Sequence, residues 1–286
     1  ALPITFYLTT NTFLSVFYNK HYLLTMQVVF VIVISVRGAK GMKEKTELAV
    51  KYQNKLNLVP LKNFNSKEMD LFFALCARMK DRGTEEISFT FEELRNLSDY
   101  KMTATKAFIK DLDSMYSKML QLTYRENLFD DDDDGFRRFV LFTGFEVSTK
   151  QQVVKVSVNS KLESVINGLT TEFSKFELAA FTSIRSSYAK TLFRLLMQYR
   201  STGYYQVNIE EFKEIMDVPK SYTQMGQIDQ KVLKPAMKEL NNYFEDLEIT
   251  KIKAKKGNKI AKLEFTFTGL KNNKPSITMH DWVNGE

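Results

Sequence analysis

The chain repeats itself once. Phe89-Thr90-Phe91-Glu92-Glu93-Leu94 faces Val207-Asn208-Ile209-Glu210-Glu211-Phe212 at an offset of 118 residues, and Leu97-Ser98-Asp99 faces Ile215-Met216-Asp217 at the same offset. Each copy is preceded by an apolar helical stretch, roughly 67–80 and 187–200. Each is followed by a turn and a longer helical stretch, roughly 103–120 and 223–244, and then by alternating residues that read as strands, 121–127 and 247–255. Two copies are too few for a solenoid, and 286 residues leave room for two ordinary domains. The order helix, short strand, helix, turn, helix, hairpin is that of a winged helix, which lays one helix in a DNA groove and a hairpin beside it. The expected fold class is therefore α+β, with two tandem winged-helix domains related by the internal repeat.

Local signals punctuate this pattern. Thr103 can cap the helix that follows it, and Ser186 or Ser187 the one at Tyr188. Gly83 and Gly203 are expected to end the first helix of each copy. Gly257-Asn258 separates two alternating runs, Glu248–Lys255 and Lys259–Thr268, and marks a hairpin tip. In the first copy the acidic run Asp130–Asp134, followed by Gly135, is expected to fill the equivalent tip. It lacks the spaced ligands and glycine of a calcium loop and reads as a solvated loop. Residues 159–175 are expected to connect the domains, with a short helix near Lys161–Ile166. The expected limits are 42–158 for the first domain, 159–175 for the linker, 176–270 for the second domain and 271–286 for a C-terminal tail.

Residues 1–41 look foreign to this plan. Leu23–Val36 is nearly all apolar, but only about 16 apolar positions lie between Lys20 and Arg37, short of the about 20 that a spanning helix needs. ISVRGAKG is a poor cleavage site. The reading that fits best is translated upstream DNA ahead of a natural start at Met42. A membrane anchor and a packed N-terminal element are the alternatives.

Charge directs attention to the second copy. The chain carries a net +7, which favours polyanionic partners without choosing among them. From Thr250 to Lys274 there are eight lysines and one acid, Glu264, a balance equal to that of the whole chain. On a helix over 227–240, Ile228, Val232, Ala236 and Leu240 share one side. Gln227, Gln230, Lys231, Lys234 and Lys238 form a stripe on the other, with no acid in it. Gln can pair with adenine, and Lys can reach guanine or phosphate. A surface helix also has a solvated face, but one that usually mixes both signs. Tyr222 and Gln224 sit at the helix entrance, in reach of backbone or base edges. Pro235 lies inside this helix and is expected to kink it. Lys253, Lys255, Lys256 and Lys259 surround the hairpin tip, where they can reach phosphates or merely protect a sheet edge. In the first copy Lys106 and Lys110 share their helix side with Asp113, and Asp111 is close by, so that copy suits base reading less.

Several chemistries are missing. There is no G-x-x-x-x-G-K-[ST], no glycine-rich dinucleotide fingerprint and no acid cluster at metal-ligand spacing. His21 and His280 are the only histidines. Cys76, the one cysteine, sits in the apolar run LFFALCARM as a core residue, and a reducing cytoplasm fits. The expectation is a non-enzymatic binding protein with no cofactor and no metal.

Ser187-Tyr188-Ala189-Lys190-Thr191-Leu192, IEEFKEIMDV and VLKPAMKELN, with KYQNKLNLVPLKNFNSKEMDLFFAL, resemble the initiator replication proteins of theta-replicating, iteron-containing plasmids, over about Leu48 to Thr268. The likeness to members from Gram-positive plasmids is greatest. The resemblance implies that the second domain reads origin repeats (iterons) in double-stranded DNA through a helix at Ser221–Asn241. Its phosphate-facing helix start falls at Arg185–Tyr188, so Arg185, Ser186 and Ser187 join the expected contacts. The first domain is implied to contact backbone and to form a homodimer in equilibrium with monomer. Repression of its own gene by the dimer, and a host replication initiator and replicative helicase as further partners, are also implied. A membrane partner is not. The alternative is a winged-helix transcriptional regulator without initiator activity.

Overall fold

The computed structural model describes residues 48–270 except 81, 84, 102–103, 128–135, 167–168 and 170–171. The expectations for residues 1–41, Met42, the Thr103 cap, His21, His280, the solvated-loop conformation of Asp130–Asp134 and the 271–286 tail lie outside the described residues.

The first domain opens with strand β1 (Ala49–Gln53) and a 3-10 turn at Asn54–Leu58. Helix α1 (Ser66–Met79) starts at a capping box: Asn65 accepts from the Glu68 N–H, and Glu68 reaches back to the Asn65 N–H. Strand β2 (Ile87–Thr90) runs straight into α2 (Phe91–Leu97), whose first turn is capped by the Thr90 hydroxyl, 3.0 Å from the Glu93 nitrogen. Helix α3 (Thr105–Met119) follows, then β3 (Thr123–Asn127), β4 (Phe136–Val140), β5 (Phe142–Ser148) and β6 (Val153–Val158). A 3-10 turn at Ser160–Leu162 leads into α4 (Glu163–Ile166), where a short helix is expected.

The second domain comprises β7 (Phe173–Glu177), α5 (Leu178–Ser183), α6 (Ser187–Gln198), β8 (Tyr204–Asn208) and α7 (Ile209–Ile215). Next come α8 (Met225–Ile228), a π turn (Asp229–Leu233) and α9 (Lys234–Leu240). The chain then forms β9 (Phe244–Glu245), β10 (Glu248–Lys253), β11 (Ile260–Thr266) and β12 (Gly269–Leu270). Ser186 caps α6 by accepting from the Ala189 N–H. Gly83 and Gly203 take positive φ shortly beyond the ends of α1 and α6. At Gly203 a Cβ would stand 2.1 Å from the Phe267 carbonyl oxygen, so only glycine fits where β11 closes on the helix end.

The repeat holds in three dimensions. Helix α7 lies 118 residues after α2 at both ends. Asp99 and Asp217, also 118 apart, share a left-handed backbone with φ of 54° and 51°. Tyr100 N donates to Arg95 O and Val218 N to Lys213 O, both at 2.9 Å. The sheets also match, with β6 between β2 and β5 in the first domain and β11 between β8 and β10 in the second.

This topology corrects one expectation. The counterpart of the lysine-rich β10–β11 hairpin is β5–β6, whose turn is Thr149-Lys150-Gln151-Gln152. β3 and β4, between which the acidic run falls in sequence, instead pair as a separate two-stranded ribbon before the wing. Alternating sequence marks both hairpins alike; only strand pairing tells the ribbon from the wing.

The expected kink at Pro235 takes the form of the π turn. Proline cannot donate, and its ring crowds the carbonyl four residues back. The chain inserts a residue there, and Lys234 N–H bonds to Asp229 O, five residues away. Pairing buried residues in order shows the insertion. Phe108/Ile228 and Leu112/Val232 are offset by 120, whereas Met115/Ala236 and Met119/Leu240 are offset by 121.

The two domains share one core and a polar seam. β1 pairs antiparallel with β7, so the second domain begins on the first strand of the first. Lys190 on α6 is fully buried; its ammonium lies 2.7 Å from Asp70 Oδ1 on α1 and donates to the Phe181 carbonyl at 2.8 Å. Four residues on, buried Arg194 donates to Leu56 O at 2.9 Å and to Tyr52 Oη at 3.2 Å. Tyr52 in turn donates to Asn57, whose amide reaches Ser174 at 2.8 Å. Burying such cations costs several kcal/mol unless it is compensated: Lys190 is paired with Asp70, and Arg194 is held by the neutral oxygens of Leu56 and Tyr52 and by the Phe73 ring, 4.9 Å from its guanidinium. Cys76 is in the same core, where burial pushes its thiol up to about 12.

Candidate nucleic-acid interface

The segment from Gln224 to Leu240 divides cleanly into two sides. Ile228, Val232, Leu233, Ala236 and Leu240 are all buried against the second-domain core. Gln230, Lys231, Lys234 and Lys238 are exposed, as the stripe requires. Among the described residues, Gln230 and Lys238 make no side-chain hydrogen bond or ion pair, so their polar ends face solvent.

The helix entrance is more engaged than its sequence suggests. Gln227 is half-buried, and its Oε1 accepts from the Gln224 N–H at 3.2 Å, closing the first turn of α8. Tyr222 is also half-buried, with the Lys231 ammonium 4.7 Å from its ring centroid. It acts as a platform for a stripe lysine, a cation–π contact that orients the charge.

The expected absence of acid from this face needs correction. Asp229 reaches Lys251 on β10 at 2.6 Å and Lys234 at 3.8 Å. In a regular α-helix, residues five apart stand about 140° apart around the axis. The π turn brings Asp229 and Lys234 nearer one face, which the helical projection of the sequence does not show. Pro235 is the one sequence signal that points to this departure.

Two contacts also bear on the start of α6. The backbone N–H groups of Arg185 and Ser186 both donate to the Glu239 carboxylate at the end of α9. These donors, expected to face phosphate, are therefore occupied from within. The Arg185 side chain remains exposed, and Ser187 is half-buried. Glu239 thus fixes the reading segment to the N-terminus of α6, where a carboxylate is favoured by the helix dipole.

The hairpin tip is solvated throughout. Lys253, Lys255, Lys256 and Lys259 are exposed, and the turn closes through Ala254 N to Lys259 O at 2.9 Å with Gly257 at φ 87°. Lys253 donates to Asn258 Oδ1 at 3.5 Å. The structure therefore places a four-lysine tip and a Gln/Lys helix face on one domain, joined at their base by Lys251 and Asp229. Among the described residues there is no group of three or more His, Cys, Asp or Glu placed to hold a metal. No described helix is long and apolar enough to cross a membrane.

Comparison with known proteins supports two winged-helix domains in tandem, with the boundary later in the chain than the one drawn above. Residues 49–197 match the family described as Initiator Replication protein, WH1, and residues 208–267 match Initiator Rep protein, WH2. The "Probable replication protein rep" of Bifidobacterium longum (strain NCC 2705) is 36% identical over 192 residues. That alignment covers 66% of this chain and 63% of the relative, so the chain spans less than two thirds of that protein. Among solved structures, the Pi initiator protein in complex with iteron DNA superposes with a TM-score of 0.61 at 18% identity, covering 78% of this chain and 97% of that one. At that identity the likeness establishes the shared fold.

Proposed function

This chain belongs to the initiator replication protein family, with its two winged-helix domains, and from that premise we propose that it binds repeated sites in double-stranded origin DNA to start plasmid replication. The observation that carries the reading is the exposed Gln230, Lys231, Lys234, Lys238 face beside the lysine tip of β10–β11. A helix face of this composition can enter a major groove, while the tip holds the flanking phosphates. Binding is the whole of its chemistry, and no cofactor is needed.

The first domain contributes backbone contact and a homodimer interface, and the dimer represses the chain's own gene. Host replication initiator and replicative helicase act on the opened origin. We place the domain limits at 42–158 and 176–270 with 159–175 between them; β7, which crosses the last of these limits, pairs with β1 and ties the two domains together.

Nuclease footprinting on the DNA flanking the gene tests this function. Protected tandem repeats beside an AT-rich tract, with strand opening there, are expected. A single protected palindrome with no opening would instead make the protein a transcriptional regulator.

A further inference from the structure

We infer that Asp229 is a specificity-determining residue of the reading face: it positions two DNA-facing lysines and weakens binding to non-matching DNA. This rests on the proposed reading of DNA by the segment from Gln224 to Lys238.

Three observations support it. Asp229 is the acid set between the helix and the wing, with its two oxygens directed to Lys251 and Lys234 at 2.6 and 3.8 Å. Its side chain keeps about one fifth of its surface exposed, so an approaching duplex would still meet its charge. Its carbonyl accepts the Lys234 N–H across the π turn, so backbone and side chain both fix where Lys234 starts.

Non-specific binding depends on cations meeting phosphates, and each neutralised phosphate adds to the salt dependence. Lys251 and Lys234 are partly neutralised by Asp229 in the free protein. On a poorly fitting sequence they stay so, and the acid repels the backbone. On a matching sequence, base contacts hold the helix deep enough for Lys234 to exchange Asp229 for the duplex. An acid of this kind lowers affinity for all DNA but lowers it most where base contacts are absent, which is how an unfavourable element raises specificity.

The test uses the full chain, a duplex enriched by the wild-type protein from a randomised pool, and a scrambled duplex of equal length. Binding is measured across a salt series. Asp229→Asn keeps the shape and removes the charge. Its affinity for the scrambled duplex should rise about 5- to 10-fold at low salt, with a salt slope steeper by about 0.9 for each extra phosphate neutralised. Affinity for the enriched duplex should change less than about 2-fold, so the specificity ratio falls. Lys251→Gln, which leaves Asp229 less neutralised, should lower scrambled-duplex affinity, and the double variant should return towards wild type.

An unchanged ratio and slope in Asp229→Asn, with Gln230→Ala still losing preference for the enriched duplex, would overturn the inference and leave the reading face in place. Equal losses on both duplexes with a lower Tm would assign Asp229 a structural role only and also overturn it. Failure of the wild-type protein to enrich any duplex would remove the reading face itself.

Discussion

The helix after the left-handed aspartate is anchored near its C-terminal end in both domains, through Lys118 to Glu68 and through Glu239 to the start of α6, but the two outer faces differ. On α3, Ser114 and Lys118 both reach the buried Glu68 carboxylate of α1, at 2.7 and 2.6 Å, and Asp111 accepts the Tyr100 hydroxyl at 2.6 Å. Its exposed side carries Lys106, Lys110 and Asp113, a mixture of signs. In the second domain the corresponding face presents Gln230 and Lys238 to solvent, and the nearby acid, Asp229, is paired with lysines. The wings differ in the same direction, with Lys150 alone in the β5–β6 turn and four lysines around the β10–β11 tip. One scaffold can thus direct its polar residues inward to a neighbouring helix of its own domain, or outward to meet a ligand.

The seam is common to both halves, and breaking it should have the largest effect. Lys190→Met takes the buried ammonium from Asp70 and should cost about 3–5 kcal/mol, measured by urea unfolding. A cost below about 1 kcal/mol would mean that the domains do not depend on this pair. Next come the two helices. Gln230→Ala or Lys234→Ala should cost about 1–3 kcal/mol on an enriched duplex and relax sequence preference. Lys110→Ala should leave that preference intact, and anisotropy titration on enriched and scrambled duplexes compares the two. If Lys110→Ala relaxed preference equally, both helices would read bases.

The wings follow. Removing Lys255 and Lys256 together should flatten the salt slope by about 1.8, against no more than about 0.9 for Lys150→Ala. Equal slopes would place the two hairpins alike on DNA. The smallest difference lies at the starts of α2 and α7. Thr90→Ala should cost about 1 kcal/mol in thermal unfolding, because its hydroxyl caps α2. Asn208→Ala should cost only a few tenths of a kcal/mol, since that side chain makes no cap bond. Similar losses would show that the cap geometry of the two copies is equivalent after all.

Much of this molecule was legible in its residues. The repeat, the turns at Asp99 and Asp217, a serine cap at 186 or 187, the hairpin at Gly257 and the buried side Ile228, Val232, Ala236, Leu240 are all local patterns. They depend on helix and strand periods and on turn chemistry, which act over a few residues. The exposed lysines of the tip follow from the same logic.

What the tertiary structure decided is long-range partnership. Pairing of β5 with β6, and not alternation, identified the first wing and set the acidic run apart from it. Lys190 and Arg194, four apart on α6, would pass for the polar edge of a helix. They are buried because α1 and the Asn54–Leu58 turn cover that edge and supply Asp70 and Leu56 as partners. Glu239 and Asp229 find their partners 53–54 and 22 residues away. Composition set how many charges there are, but which of them can meet DNA depends on packing, because a buried charge must find an opposite charge or a dipole and one left at the surface need not.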